Sequence, residues 1–252
     1  MTLNDLRITT ATSASRRTGW CFLLVCLVLV SGVAAQEPTF MEAGTHPGAR
    51  QWYGRAFWRS ATWADGAADD TAEFALAYGL TARRALLAKT TLDKGGPEVA
   101  SLRLRQRIWQ RDTGPIDTWR ASLQVGGEWF DGRDPGGRAG VVSTTIRGRH
   151  GFNAQVDWRG AAPSAYRFEA NVSHLYRIYP ARYHAGTVGA WYTMVESLNV
   201  FDRDGNRVSD AALGLLYEAR RWAAEASVYL QEPEEGVRRD QTRLAVGGRY
   251  LF

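Results

Sequence analysis

Ser101-Leu-Arg-Leu-Arg-Gln-Arg-Ile-Trp109 decides the fold. Leu102, Leu104 and Ile108 fall on one parity, and Ser101, Arg103, Arg105 and Arg107 on the other. Period-two alternation is the mark of a strand whose two faces meet different surroundings. The same pattern recurs downstream. Trp119, Ala121, Leu123, Val125, Gly127 and Trp129 alternate with Arg120, Ser122, Gln124, Gly126 and Glu128. At the end of the chain, Leu244, Val246, Gly248, Tyr250 and Phe252 alternate with Arg243, Ala245, Gly247 and Arg249.

Twelve such segments are expected between Gln51 and Phe252, near 52–62, 71–80, 84–92, 99–110, 118–130, 140–149, 153–159, 166–176, 183–198, 211–220, 222–231 and 242–252. The ninth is ambiguous, because Val188, Ala190, Tyr192 and Met194 compete with a weaker odd-numbered face. No segment reads as an amphipathic helix or a domain linker. An even number of hairpin-connected strands can close, which removes the unpaired edges. The connections divide into a longer set (63–70, 93–98, 131–139, 160–165, 199–210, 232–241) and a shorter set (81–83, 111–117, 150–152, 177–182, 221). Short turns at one end and longer loops at the other are the habit of outer-membrane barrels, with both termini on the periplasmic side. The expected fold class is all-β, a transmembrane antiparallel up-and-down β-barrel.

The N-terminus supports export. Arg16 and Arg17 precede an apolar run from Trp20 to Val30, and Ala34-Ala35-Gln36 follows it. A basic start, a short apolar core and small residues at its end read as a signal peptide over 1–35. Residues 36–50 then form a periplasmic arm and 51–252 the barrel. Cys21 and Cys26 are the only cysteines of the 252-residue chain. Cleavage removes both, so no disulfide framework and no thiolate chemistry is expected in the mature protein. Of 31 basic residues only Lys89 and Lys94 are lysine. Arginine favours bidentate contacts with carboxylate and phosphate.

Aromatic placement says which face is outside. Tyr78, Trp119, Tyr176, Tyr217, Trp222, Tyr250 and Phe252 lie at strand ends beside the short turns; Trp129, Trp158 and Tyr166 lie beside the longer loops. Two belts at strand ends fit the headgroup levels of a bilayer. The apolar parity therefore faces lipid and the arginine parity faces inward. Slipping the fourth strand by one residue would send Arg103, Arg105 and Arg107 into lipid, at roughly 2–4 kcal/mol each near the midplane.

The ending Thr242-Arg-Leu-Ala-Val-Gly-Gly-Arg-Tyr-Leu-Phe252 resembles the terminal strand of Gram-negative outer-membrane barrels. In that group a terminal aromatic with apolar residues at alternate positions implies recognition by the barrel-assembly machinery, with Tyr250 and Phe252 as the signal here. The strand number and arginine-rich inner face are similar in layout to the small oligogalacturonate and sialate porins. The resemblance implies a cell outer-membrane location, with outer-membrane lipid and the assembly machinery as partners.

Enzymatic chemistry is the reading from another class. Ser173 and His174 are adjacent on a strand, so their side chains point to opposite faces and cannot pair. His46, His150 and His184 are read as lying in the arm, a turn and a strand start, with spacing that matches no zinc motif. Asp202, Asp204, Asn206 and Asp210 suggest a cation loop, but Gly205 stands one position early for an EF-hand and Leu213 replaces its closing Glu. A turn built on Asp-Gly-Asn is the plainer reading. No catalytic residue, metal site or cofactor is expected, and nucleic-acid binding fits neither the export signal nor the alternating arginines.

What remains is the inner face. It is expected to carry Arg55, Arg59, Arg103, Arg105, Arg107, Arg120, Arg147, Arg149, Arg159, Arg167, Arg243, Arg249 and Lys89, against Glu73, Glu128, Asp157, Glu169, Glu218 and Glu225. Such a basic excess suits a narrow solute channel that prefers anions, with small anionic solutes as its cargo. The alternatives are a closed structural or scaffolding barrel, whose arginines and carboxylates satisfy one another, in an envelope or export complex, and an outer-membrane enzyme.

Overall fold

The computed structural model describes residues 47–62, 68–114, 117–130, 134–161, 165–182, 187–201, 207–231 and 242–252. The twelve strands are β1 (Trp52–Thr62), β2 (Ala68–Thr81), β3 (Arg84–Asp93), β4 (Gly96–Asp112), β5 (Thr118–Phe130), β6 (Gly136–Arg147), β7 (His150–Ala161), β8 (Ala165–Tyr179), β9 (Gly189–Phe201), β10 (Arg207–Ala219), β11 (Trp222–Gln231) and β12 (Thr242–Leu251). Every strand pairs antiparallel with its chain neighbours, and β1 pairs with β12, so the sheet is a closed barrel. Fold class and strand number are those expected. The expected signal peptide, most of the arm and His46 lie outside the described residues, as do His184 and the 202–206 and 232–241 connections.

The connections differ from expectation. At the end remote from the termini the strands are joined through 63–67, 94–95, 131–135, 162–164, 202–206 and 232–241; at the other end through 82–83, 113–117, 148–149, 180–188 and 220–221. The contrast in length largely disappears, 232–241 excepted. Pairing continues beyond the point where alternation fades. Outside the bilayer both faces of a strand meet water, so hydrogen bonding persists without an apolar-polar pattern. For the same reason His150 opens β7 instead of lying in a turn. The β6–β7 turn has only Gly148 and Arg149, and Gly148 sits at φ 59°, a conformation that glycine adopts without a side-chain clash.

The outer surface is apolar where lipid would lie. Leu76, Leu86, Leu102, Leu104, Val125, Val141, Val156, Val172, Val195, Leu215, Val228 and Leu244 are exposed, which in water would be a severe liability. Aromatic side chains border this band. Toward the terminal end, Trp52 meets Tyr78 at 4.6 Å, Trp109 meets Trp119 at 5.9 Å, and Tyr217 lies 5.0 Å from Trp191 and 5.2 Å from Trp222. Trp129, Trp158 and Phe168 are exposed toward the other. On β5 the two belts are marked by Trp119 and Trp129. Their separation is about 33 Å along a strand, or about 25 Å across the bilayer at a tilt near 40°, the height of an outer-membrane apolar band.

The barrel closes at its terminal strand. Phe252 N donates to Trp52 O at 2.8 Å, Leu251 N donates to Arg221 O at 2.9 Å, and the Phe252 ring packs over Gly54 and against Tyr250. Deleting Phe252 removes this last link and the outward aromatic. The expected result is an exported protein that inserts poorly, seen as loss of the heat-modifiable gel band and periplasmic degradation. Normal insertion of the truncated chain would refute that role.

Candidate functional site

The interior follows from the pleat. Along β4, Ser101, Arg103 and Arg105 are buried while Leu102 and Leu104 are exposed; along β5, Ser122, Gln124 and Glu128 are buried while Leu123 and Val125 are exposed. The buried polar side chains point into the closed barrel, where they meet across strands.

One ionic group is built on β4 to β8. Arg138 on β6 is its centre. Its Nη1 donates to Glu128 Oε1 at 2.8 Å, its Nη2 donates to Asp157 Oδ2, and Glu169 Oε2 lies 3.8 Å from Nη2. Arg159 reaches Glu128 at 3.5 Å and Glu169 at 3.1 Å. Gln124 ties this group to the arginine strand. Its Nε2 donates to Asp157 Oδ1 at 2.7 Å, and its Oε1 accepts from Arg103 at 3.3 Å and Arg105 at 3.4 Å. A second group lies on β1 to β3. Glu73 accepts from Arg55 at 2.5 Å and Arg59 at 2.8 Å, and pairs with Lys89 at 2.7 Å. One carboxylate thus serves three cations.

The opposite wall is different. Leu175, Ala190, Tyr192, Met194, Leu216 and Ala223 form a buried apolar cluster, with Ala212, Tyr229 and Ala245 beside it. Glu196, Glu218 and Glu225 are buried there as well. Tyr229 Oη donates to Glu196 at 3.4 Å, and Arg249 lies 3.9 Å from Glu218. The interior therefore has a basic, ionic half and an apolar, acidic half.

The network at mid-barrel is tightly packed: Arg103 is 1% exposed, Arg105 2% and Asp157 0%. Inward glycines make room for this packing. Gly126 is paired with Arg103, Gly140 with Asp157 and Gly247 with Phe57, and a Cβ on any of the three would collide with the partner.

Most of the expected inner residues are placed inside the barrel: Arg55, Arg59, Lys89, Arg103, Arg105, Arg120, Arg159 and Arg249 with Glu73, Glu128, Asp157, Glu169, Glu218 and Glu225. Arg107 lies at the rim, where its guanidinium donates to Ala82 O. Two expectations are corrected. Arg147 falls on the outward parity of β6 with Val141 and is exposed. Arg149 is in the β6–β7 turn, held by Tyr176 Oη at 2.9 Å and Ala181 O at 3.2 Å. The cause is β6, where Val141 and Val142 are adjacent and only Val142 is buried, so the alternation points either way. The side chains of Arg167 and Arg243 lie outside the described residues. Arg138, Arg177, Glu196 and Asp210 are inward residues that periodicity missed. The alternation places Arg138 in the 131–139 connection. The pairing of Arg138 with Arg159 and of Gly140 with Asp157 is the signal that finds it.

His174 and Ser173 point to opposite faces. Ser173 is buried and accepts from Asn153 at 3.1 Å, while His174 faces outward with a ring nitrogen 3.0 Å from His150. Among the described residues, no serine is hydrogen-bonded to either histidine.

No family model matches the chain, and no curated protein matches it in sequence. Solved structures do match. The KdgM porin in complex with disordered oligogalacturonate is 10% identical, with a TM-score of 0.50 over 79% of this chain and 99% of its own. The NanC porin is 9% identical, with a TM-score of 0.53 over 79% and 98%. This is the outer-membrane porin fold. An outer membrane channel from Pseudomonas putida F1 shares it too, at 12% identity and a TM-score of 0.52, over 86% of this chain and 100% of its own. The porin fold accounts for the exposed apolar band and the closed strand order.

Proposed function

We propose that this outer-membrane barrel is a narrow channel for small anionic solutes, with its constriction at the Arg103–Gln124–Asp157–Arg138 network. One observation carries the reading. Among the described residues, the inward cations Arg55, Arg59, Lys89, Arg103, Arg105, Arg107, Arg120, Arg138, Arg159, Arg177 and Arg249 outnumber the inward carboxylates Glu73, Asp112, Glu128, Asp157, Glu169, Glu196, Asp210, Glu218 and Glu225. Low-dielectric walls focus such an excess and raise the local anion concentration. Arg103 and Arg105 are two inward steps of one strand, about 6.6–7 Å apart, and arginine forks can pass a carboxylate between them.

The burial of those same arginines favours a second reading, a closed barrel with a structural role. A planar bilayer separates the two. The channel reading expects discrete conductance steps, anion preference at low salt and loss of that preference as salt screens the wall. Replacing Arg103 and Arg105 together by Gln should move the reversal potential toward cations in a protein that still inserts. A silent bilayer from correctly folded protein supports the closed barrel, and an unchanged reversal potential means that these arginines do not set selectivity.

A further inference from the structure

The turn end carries Arg83, Arg84, Arg111, Arg147, Arg220 and Arg221, all exposed. Three arginines of the turn end sit on strands: Arg84, which opens β3 and donates to Gln106, and Arg111 and Arg147. Arg111 and Arg147 lie on the outward parity of β4 and β6, on either side of β5. The register places Arg111 opposite Trp119 and Trp119 opposite Thr145, with Arg147 one outward step beyond Thr145. Adjacent strands are about 4.8 Å apart, so the two arginines flank Trp119 within about 12 Å, inside the reach of two extended side chains to one tetrahedral anion. Trp119 is exposed and anchored by its Nε1, which donates to Ser143 Oγ at 3.1 Å. It belongs to the aromatic belt, which marks the headgroup level.

The nearby carboxylates are already engaged by neutral donors. Asp112 accepts from Thr118 at 2.6 Å and Gln110 at 2.7 Å, and Asp117 accepts from Gly148 N at 2.8 Å. Neither forms an ion pair with Arg111 or Arg147 among the described residues.

We propose that Arg111, Trp119 and Arg147 form an outward-facing site for the phosphate headgroup of an anionic phospholipid in the leaflet at the turn end. The tryptophan ring packs on the glycerol region and the two guanidinium forks hold the phosphate oxygens. The inference rests on the membrane-spanning barrel but not on whether the barrel conducts.

The test uses native mass spectrometry of the folded protein released from micelles that hold equal phosphatidylglycerol and phosphatidylcholine. The intact protein is expected to keep phosphatidylglycerol by about tenfold, a difference of about 1.4 kcal/mol. Arg111→Gln with Arg147→Gln should bring the two lipids to parity. Arg111→Lys with Arg147→Lys, which keeps both charges on a folded barrel, should retain part of the preference. Absence of a preference in the intact protein, or its persistence in the Gln variant, overturns the site. So does equal competition by an acidic peptide, which would mark the Arg111–Trp119–Arg147 site as a protein-binding surface. A silent bilayer with lipid preference intact would remove the channel reading and leave this one standing.

Discussion

Arg138→Met is expected to destabilise the barrel by about 3–5 kcal/mol, the cost of leaving buried carboxylates without their cation. Arg138 touches three of them, Glu128, Asp157 and Glu169. Arg159 can still serve Glu128 and Glu169, but Asp157 keeps only the amides of Gln124 and Gln155. Methionine fills most of the lost volume, so the effect reads charge and not a cavity. Urea unfolding in micelles should show a lower midpoint with an unchanged slope. Adding Asp157→Asn to the variant should restore much of the loss, because the uncompensated charge is then gone. A midpoint shift worth less than about 1 kcal/mol would show that water reaches Asp157 and that the interior is not closed at this level. In a bilayer the same variant should conduct more and discriminate less.

Glu73→Gln should have the next largest effect, with the sign of the charge reversed. Its carboxylate, 2% exposed, is shared by Arg55, Arg59 and Lys89. Glutamine keeps the shape and one acceptor oxygen, yet removes the negative charge that Arg55, Arg59 and Lys89 share. A loss of about 3–5 kcal/mol is expected. Combining it with Lys89→Met removes one cation and should recover part of that loss. If the two substitutions add independently, Glu73 and Lys89 are not coupled and the ion-pair account of this corner fails. Conductance gives an opposite pair of outcomes. Glu73→Gln should increase anion preference, whereas Arg138→Met should reduce it.

Legibility in the sequence varied from strand to strand. β4 and β5 were readable almost to the residue because arginine or glutamine on one face meets leucine or valine on the other. β6 was not. Gly136, Gly137 and Gly140 carry no side-chain signal, and Val141 and Val142 erase the alternation. Arg138, the centre of the ionic network, therefore went unseen. β9 was ambiguous because its inward residues Ala190, Tyr192 and Met194 are themselves apolar and pack against Leu175 and Leu216. A half-apolar interior breaks the rule that polar residues point inward. Strand ends were also extended by pairing that no pattern marks.

The sequence alone determined that the chain is a barrel, how many strands it has and which face of most strands meets lipid. Those follow from short-range periodicity and from the cost of a charge in hydrocarbon, which any ten-residue window contains. The tertiary structure alone decided which inward side chains meet. Glu73 is drawn to Lys89 two residues off its partner Thr91 on the adjacent strand, Gln124 to Asp157 across two strand pairings, and Arg138 to Asp157 opposite a glycine. These contacts depend on cross-strand register, which no ten-residue window contains. The same arginine and glutamate residues could line an open wall or lock together across it. In this barrel the inward glycines make room for the large side chains of the neighbouring strands, and the buried ion pairs fix where those side chains lie.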